Sequence, residues 1–118
     1  MTGQRAPDVT RADVERIVRR DFPAERVGEV LAMLDEYGPE DWHREPDRVR
    51  LAVLKLASGS FERLRYEIEG AKRDYRDVLS PAEYPGYGKR MFKKLAPDEE
   101  RRIIDADWKQ YQDWLTRP

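Results

Sequence analysis

Residues 46–79 read PDRVRLAVLKLASGSFERLRYEIEGAKRDYRDVL. This stretch predicts two helices joined at residues 58–60 (Ser-Gly-Ser), because a glycine commonly ends one helix and a serine hydroxyl can cap the next. Pro46 suits the first helical position, where the N–H that proline lacks would have no partner. Between residues 49 and 57 the apolar side chains point in every direction, which is typical of a helix buried on most sides. We therefore expect this pair to form the centre of the fold.

The second helix of the pair is predicted to run from Phe61 to about Leu79, since apolar residues recur there at steps of three and four. On its outer side Tyr66 precedes Gly70 by one turn. A glycine inside a helix costs about 1 kcal/mol relative to alanine, so close approach of another element would explain it. Two interpretations stay open for Tyr66 and Gly70: a helix crossing inside the domain, or a docking notch for a partner.

Composition limits the possible functions of this 118-residue chain. Charged residues make up 40% and hydrophobic residues 39%, the formal net charge is −1, and there is no cysteine. Disulfides, thiol catalysis and thiolate metal sites are thereby excluded, and no overall charge attracts nucleic acid or an anionic membrane. The N-terminus lacks the apolar core of a signal peptide, and no run approaches the roughly 18 apolar residues of a membrane span. We expect a cytoplasmic protein without membrane contact and without a cofactor.

Capping residues, prolines and glycines elsewhere in the chain predict the other helices. Residues 1–9 are expected to be a flexible tail and residues 10–118 a single domain, whose first helix begins at a Thr10 cap and stops before Pro23. Pro23 is then predicted to open a second helix that ends at Gly38-Pro39, and Pro97 is predicted to open the last one. We expect an all-α, bundle-like or orthogonal array of about five main helices around the hairpin at 46–79.

Asp107 is a candidate for chemistry because it lies within the apolar arc of the last helix. Burial disfavours an ionised carboxylate unless it finds a cation or hydrogen-bond donors. Arg65, Lys72 and Arg76, along one edge of the second central helix, are the expected partners in a structural ion pair. The other interpretation is a general acid or base assisted by Tyr75, Arg76 or Tyr84.

The connection after Leu79 mixes aromatic and basic side chains. It holds Tyr84, Tyr87 and a basic run, and a partner protein or single-stranded nucleic acid would suit that mixture. The glycines near Tyr87 match neither the P-loop nor the dinucleotide fingerprint. The other interpretation has both tyrosines folded back on the core and the cations solvated. The basic run comprises Lys89, Arg90, Lys93 and Lys94.

Two further residues are weighed as sites. Trp108, Tyr111 and Trp114 on the last helix are interpreted first as core plus a surface edge. Because Trp114 lies to one side of the inward stripe, the other interpretation is a partly exposed aromatic at an interface, including one between two copies of the chain. His43, the only histidine, has acidic neighbours such as Asp41 and Asp47, but that spacing is common by chance in a chain with 24 acids, and we predict no metal site.

Several segments carry a resemblance. DYRDVL at 74–79, AEYP at 82–85 and ADWKQY at 106–111 followed by WL at 114–115 resemble small bacterial proteins of unknown function. The resemblance covers roughly residues 48–115. It implies an all-helical fold and a bacterial source, and it implies no activity, cofactor or catalytic residue.

Three function classes follow from these observations. The first is non-catalytic protein binding by an adaptor, inhibitor or regulator whose partner is unknown, with a homodimer through Trp114 or the 84–87 loop as a variant. The second is nucleic-acid association through the aromatic and basic residues at 84–94. The third, and least favoured, is an enzyme that uses Asp107.

Overall fold

A computed structural model describes residues 6–89 and 94–118 of the chain. These residues form seven α-helices and one 3-10 turn, with no strand, so the predicted all-α class is confirmed. None of the described helices has the length and apolarity needed to cross a bilayer. The helices are α1 (Arg11–Asp21), α2 (Val27–Leu34), α3 (Pro46–Ala57), α4 (Phe61–Arg73), α5 (Arg76–Glu83), α6 (Pro85–Gly88) and α7 (Pro97–Thr116), with the 3-10 turn at Ala24–Arg26.

Helix α3 lies at the centre, as its apolar sequence predicts. Residues 51–54 are all buried, and the helix packs against α1, α4 and α5. Ser58 ends it in the left-handed conformation with φ near 51°, and Gly59 follows with φ near 81°. The Ser60 hydroxyl then accepts a hydrogen bond of 3.1 Å from the Arg63 N–H, which caps α4. The turn at 58–60 therefore forms as predicted.

Helix α1 follows the predicted boundaries. The Asp13 carboxylate accepts a 2.9 Å hydrogen bond from the Thr10 N–H, which satisfies one of the N–H groups at the start of the helix. Phe22 is extended, as expected for a residue before proline, and α1 ends at Asp21. Its inner face, which includes Val14 and Ile17, is fully buried.

The helix predicted from Pro23 to Gly38 is shorter than expected. A 3-10 turn follows Pro23, and α2 ends at Leu34 rather than at Tyr37. The Tyr37 hydroxyl instead bonds the backbone of Arg44, at 2.9 Å both to its oxygen and from its nitrogen. The helix thus ends before Tyr37, whose ring is buried and whose hydroxyl binds the backbone of the following loop.

The prediction of one helix from Phe61 to Leu79 is wrong, because the chain breaks at Asp74. Asp74 is extended, with φ −159° and ψ 106°. Its carboxylate accepts hydrogen bonds from the backbone N–H of Arg76 at 3.0 Å and from the Arg76 guanidinium at 2.9 and 2.8 Å. An aspartate that bonds the backbone two residues ahead offers an alternative to the helical ladder, so α4 ends and α5 begins.

The prediction of an irregular connection after Leu79 is also wrong at its start. Pro81 lies inside α5, and α6 follows directly. Val78 and Ala82 are almost fully buried while Pro81 faces outward, so burial of the inner face outweighs the hydrogen bond that proline removes.

Helix α7 begins at Pro97 as predicted, with three acids in its first turn beside the positive end of the helix dipole. Ile104, Tyr111 and Leu115 are buried on its inner face. Pro7, from the predicted tail, is buried and contributes to a small void beside the Tyr111 ring. The division into tail and single domain stays a prediction.

A buried ion pair joins α3 to α5. The Arg48 guanidinium donates to both carboxylate oxygens of Glu83, at 2.8 and 2.7 Å, and the two side chains are 14% and 3% exposed. The hydrogen bond to Glu83 raises the pKa of Arg48 further above its usual range. Glu45, one turn earlier, also accepts from Arg48 at 2.9 Å. The bidentate geometry fixes the orientation of α5 on α3.

We predict that Glu83→Gln lowers the free energy of unfolding by about 3 kcal/mol, because it leaves the buried Arg48 charge without its main partner. Urea denaturation measures the change. The double variant Arg48→Met, Glu83→Leu should recover most of the loss, since apolar side chains of similar size replace both charges. Lys109→Gln, in the exposed Lys109–Asp113 pair, is the control and should change stability little. A Glu83→Gln variant as stable as wild type would contradict the role of this pair.

Candidate functional site

The carboxylate of Asp107 is 4% exposed and binds the backbone of α6. It accepts hydrogen bonds from the N–H groups of Gly86 at 2.9 Å and Tyr87 at 2.8 Å. These are free N–H groups at the start of a short helix, where a carboxylate is favourable. A Cβ on Gly86 would lie 2.8 Å from the Asp107 oxygen, so this contact requires a glycine.

The expected ion pair between Asp107 and a cation of the central helix is therefore wrong in its partner. Arg65 donates to both oxygens of Glu36, at 2.7 and 3.1 Å, and Lys72 lies 3.2 Å from Glu36. These bonds hold the pKa of Glu36 below its usual value. Arg76 pairs with Asp74. Glu36 and Asp74 thus pair with the three cations, and backbone N–H groups bind the Asp107 carboxylate instead.

The 84–94 segment is only partly available as a binding surface. The Tyr87 hydroxyl donates to a Glu100 oxygen at 3.0 Å, which ties its ring to α7. Burial raises the pKa of Tyr84, which lies beside the Arg48–Glu83 pair. Lys89 and Lys94 are exposed. Two members of the predicted basic run, Arg90 and Lys93, lie outside the described residues.

Trp114 belongs to the core, the first of the two interpretations, and is not a partly exposed interface aromatic. Its side chain is only 8% exposed, with the Tyr111 ring 5.4 Å away and the Arg20 guanidinium 5.3 Å from its centroid. Arg20 comes from α1 and also donates to the backbone oxygens of Trp114 and Arg117, at 2.6 and 2.9 Å. The Trp114 ring therefore offers little exposed surface to a homodimer.

Tyr66 is exposed as expected, at 62%, with the Arg63 guanidinium 5.5 Å from its ring. Gly70, however, is not a close crossing of another helix. The atom that a Cβ there would meet is Arg73 Nη2, at an ordinary 3.7 Å. The interpretation of Gly70 as a helix crossing is therefore wrong, and the arginine side chain, rather than a neighbouring backbone, covers it.

His43 stabilises the loop between α2 and α3. Its Nδ1 accepts hydrogen bonds from the N–H groups of Gly38, at 2.8 Å, and Glu40, at 3.3 Å. Its ring stacks on Tyr37, with centroids 4.4 Å apart. Nδ1 is thus occupied by backbone donors, and the described residues contain no group of three ligand-type side chains that would hold a metal ion.

The loop between α2 and α3 is fixed by further polar contacts. Arg50 donates to the Tyr37 backbone oxygen at 2.7 Å, and Tyr37 in turn holds the backbone of Arg44. Gly38 has φ near 132°, and a side chain there would collide with the Arg50 guanidinium. The backbone on both sides of Trp42 is therefore held in one conformation.

Trp42 projects from this fixed loop and is 64% exposed. Its ring meets His43 edge to face, with centroids 5.7 Å apart. Beside it lies a cleft of about 250 Å³, lined by Tyr37, Trp42 and His43 on one side and by residues 71–76 on the other. We call this the Trp42 cleft. It is formed by the α2–α3 loop and by the junction of α4 with α5.

The charged lining of the Trp42 cleft is mostly basic. Lys72, Arg73 and Arg76 stand against one acid, Asp74. Lys72 and Arg76 are paired, as described above, whereas Arg73 is exposed and forms no ion pair or hydrogen bond with a described side chain. The cleft thus combines a fixed aromatic ring with an unpaired guanidinium.

No family model, curated protein or solved structure matches this chain. The geometry of its own residues is therefore the basis for a function.

Sequence reasoning missed the Trp42 cleft, although a signal was present. Trp42 and His43 lie between Gly38-Pro39 and Pro46, where no helix is predicted, and Tyr37 directly precedes Gly38. Large aromatic residues in a loop are frequently functional, because the loop lies on the surface. Two cations of the opposite wall, Lys72 and Arg76, were predicted instead to pair with Asp107.

We predict that Asp107→Asn lowers the free energy of unfolding by about 1–2 kcal/mol, because the asparagine amide would point an N–H at one of the two backbone N–H donors. Thermal and urea denaturation measure this change. Asp113→Asn, on the exposed side of α7, is the matched control and should have little effect. Unchanged stability of Asp107→Asn would contradict the capping role.

We also predict that Gly70→Ala raises the free energy of unfolding by about 0.5–1 kcal/mol, because alanine favours the helix and its Cβ meets no backbone. Gly38→Ala should act in the opposite direction, because of its positive φ and the Arg50 side chain. Urea denaturation of both variants tests the pair. Destabilisation by Gly70→Ala would show that another element approaches Gly70 after all.

Proposed function

We propose that this chain is a non-catalytic protein-interaction module of the cytoplasm, acting as an adaptor, inhibitor or regulator, and that it binds its partner at the Trp42 cleft. One observation carries the proposal: an indole that is 64% exposed, held on a loop whose backbone is fixed on both sides. A side chain that contributes only to packing would be buried, and a loop fixed by buried polar contacts loses little entropy on binding.

The residue types of the cleft support this function. Tryptophan, tyrosine and arginine are the residues that most often carry the binding energy of protein interfaces. In the Trp42 cleft the ring of Trp42 offers apolar area, and the guanidinium of Arg73 offers a planar fork for a carboxylate. The His43 ring meets the indole edge to face and in turn stacks on Tyr37.

The charge of the cleft indicates the chemistry of the partner. Three cations and one acid line it, and Arg73 is the one of the three whose charge is not already paired with a described side chain. A partner segment with an acidic side chain close to an apolar or aromatic one would pair with Arg73 and cover Trp42. The occupant we propose is therefore an acidic, aromatic-containing segment of another protein.

The 84–94 segment supports nucleic-acid association less well. Its described tyrosines are engaged with Glu100 and with the Arg48–Glu83 pair, so their rings are not free platforms for stacked bases. Nucleic-acid binding would also fall steeply with salt, whereas an apolar contact at Trp42 would not.

A random peptide library displayed on phage tests the function while the partner is still unidentified. We predict that wild-type protein enriches peptides with a carboxylate beside an aromatic or large aliphatic residue. Trp42→Ala should weaken the binding of the enriched peptides at least about thirtyfold, the effect of a central interface residue. Isothermal titration calorimetry at low and high salt gives the affinities, and chemical-shift changes should centre on residues 37–43 and 71–76.

Tyr66→Ala provides the matched control, because Tyr66 is as exposed as Trp42 but does not line the cleft. It should bind the same peptides normally, and circular dichroism should show all variants folded. Arg73→Gln should weaken acidic peptides selectively. Enrichment of basic peptides, loss of binding in Tyr66→Ala with retention in Trp42→Ala, or capture of nucleic acid alone would overturn the proposal.

A further inference from the structure

A second and larger cleft, of about 600 Å³, opens where α1, α3 and α7 end. It lies apart from the Trp42 cleft and shares no lining residue with it. Its lining includes Arg20, Asp21, Lys55, Asp113 and Arg117. We call it the Lys55 cleft. Its volume is in the range of small-molecule sites.

Most charges of the Lys55 cleft are already paired within the protein. Arg20 donates from Nε and Nη2 to the Asp21 carboxylate, at 2.8 and 3.4 Å, and from Nη1 to the backbone oxygens of Trp114 and Arg117 at the end of α7. Asp113 pairs with Lys109 at 2.9 Å. Both acids that line the cleft are thus neutralised.

Lys55 and Arg117 differ from the other charges. Neither side chain forms a hydrogen bond or ion pair with a described residue, although Lys55 is only partly exposed. Burial lowers the pKa of the Lys55 amine; the Asp107 carboxylate opposes this shift, and the nearby Arg117 guanidinium adds to it. Two unpaired cations therefore lie near each other in one concave site.

The ends of three helices explain only part of this arrangement. Backbone oxygens at helix C-termini carry partial negative charge and attract cations, and Arg20 bonds two of them at the end of α7, those of Trp114 and Arg117. Lys55, in the last turn of α3, bonds none of the described backbone oxygens. Ser58 also lines the cleft and has an exposed side chain, so its hydroxyl adds a third donor.

We propose that the Lys55 cleft binds the oxyanion group, phosphate or carboxylate, of a small molecule, between Lys55 and Arg117 with Ser58 as an additional donor. The donors left unpaired are all of the kind that such a group accepts, and the acids that would repel it are neutralised.

Inorganic phosphate and succinate are the probes, titrated by NMR at constant ionic strength. We predict saturable shifts at Ser58 and Gly59 in the millimolar range and an increase in the pKa of the Lys55 amine on binding. Lys55→Met and Arg117→Gln should each weaken binding about tenfold, because each removes one charge-assisted hydrogen bond. Arg117→Gln keeps the backbone oxygen that Arg20 needs, so the fold is preserved.

Arg101→Gln is the matched control, because Arg101 is exposed on α7 and does not line the cleft. This variant should bind both probes as wild type does. A preference for phosphate over succinate would identify a phosphate ester as the natural class, and the reverse a carboxylate. Shifts that do not saturate, or equal binding by wild type and Arg117→Gln, would overturn the proposal.

Discussion

The burial of α3 on most of its sides is the constraint on which the rest of the structure depends. Full burial of a leucine or valine side chain stabilises the fold by roughly 1.5–3 kcal/mol, and α3 buries six apolar residues. A helix of this kind needs neighbours in several directions, and α1, α4 and α5 supply them. Any charged side chain that extends from α3 at a buried position also needs a partner of opposite charge. Arg48 is such a charge, and Glu83 on α5 is its partner.

The same constraint makes the loop before α3 rigid. Arg50, also on α3, reaches back to the Tyr37 oxygen, and Tyr37 holds the Arg44 backbone. The conformation of the α2–α3 loop is thus set by side chains anchored in or against the central helix. Trp42 is therefore presented in a defined position although it packs against little of the core.

Turn, cap and proline signals predicted the boundaries that neighbouring residues determine. The end of α1 before Pro23, the turn at 58–60 and the start of α7 at Pro97 depend on residues within a few positions of the boundary. The break at Asp74 was missed because the apolar stripe of α4 continues in register into α5. Only the hydrogen bonds of the Asp74 carboxylate distinguish two helices from one, and aspartate also occurs on exposed helix faces.

The candidate sites depend instead on contacts between distant segments, which explains why sequence reasoning placed them less well. The sequence pattern left both burial and partial exposure open for Trp114 and did not indicate a site at Trp42. Arg20, 94 positions away, covers Trp114, whereas no described element covers Trp42.

Charge pairing gives the most informative view of a chain in which 40% of the residues are charged. An exposed charge without a partner says little, because water solvates it and a surface ion pair contributes little to stability. A charge without a partner inside a concave site is different, because the protein has reduced its hydration without replacing it. Lys55, which is partly buried in the Lys55 cleft, is in this position. Arg73, by contrast, is exposed, and the reason to expect a partner at the Trp42 cleft is the exposed indole beside it. A bound carboxylate or phosphate would replace the hydration that Lys55 loses on folding, which is the physical reason to expect a ligand there.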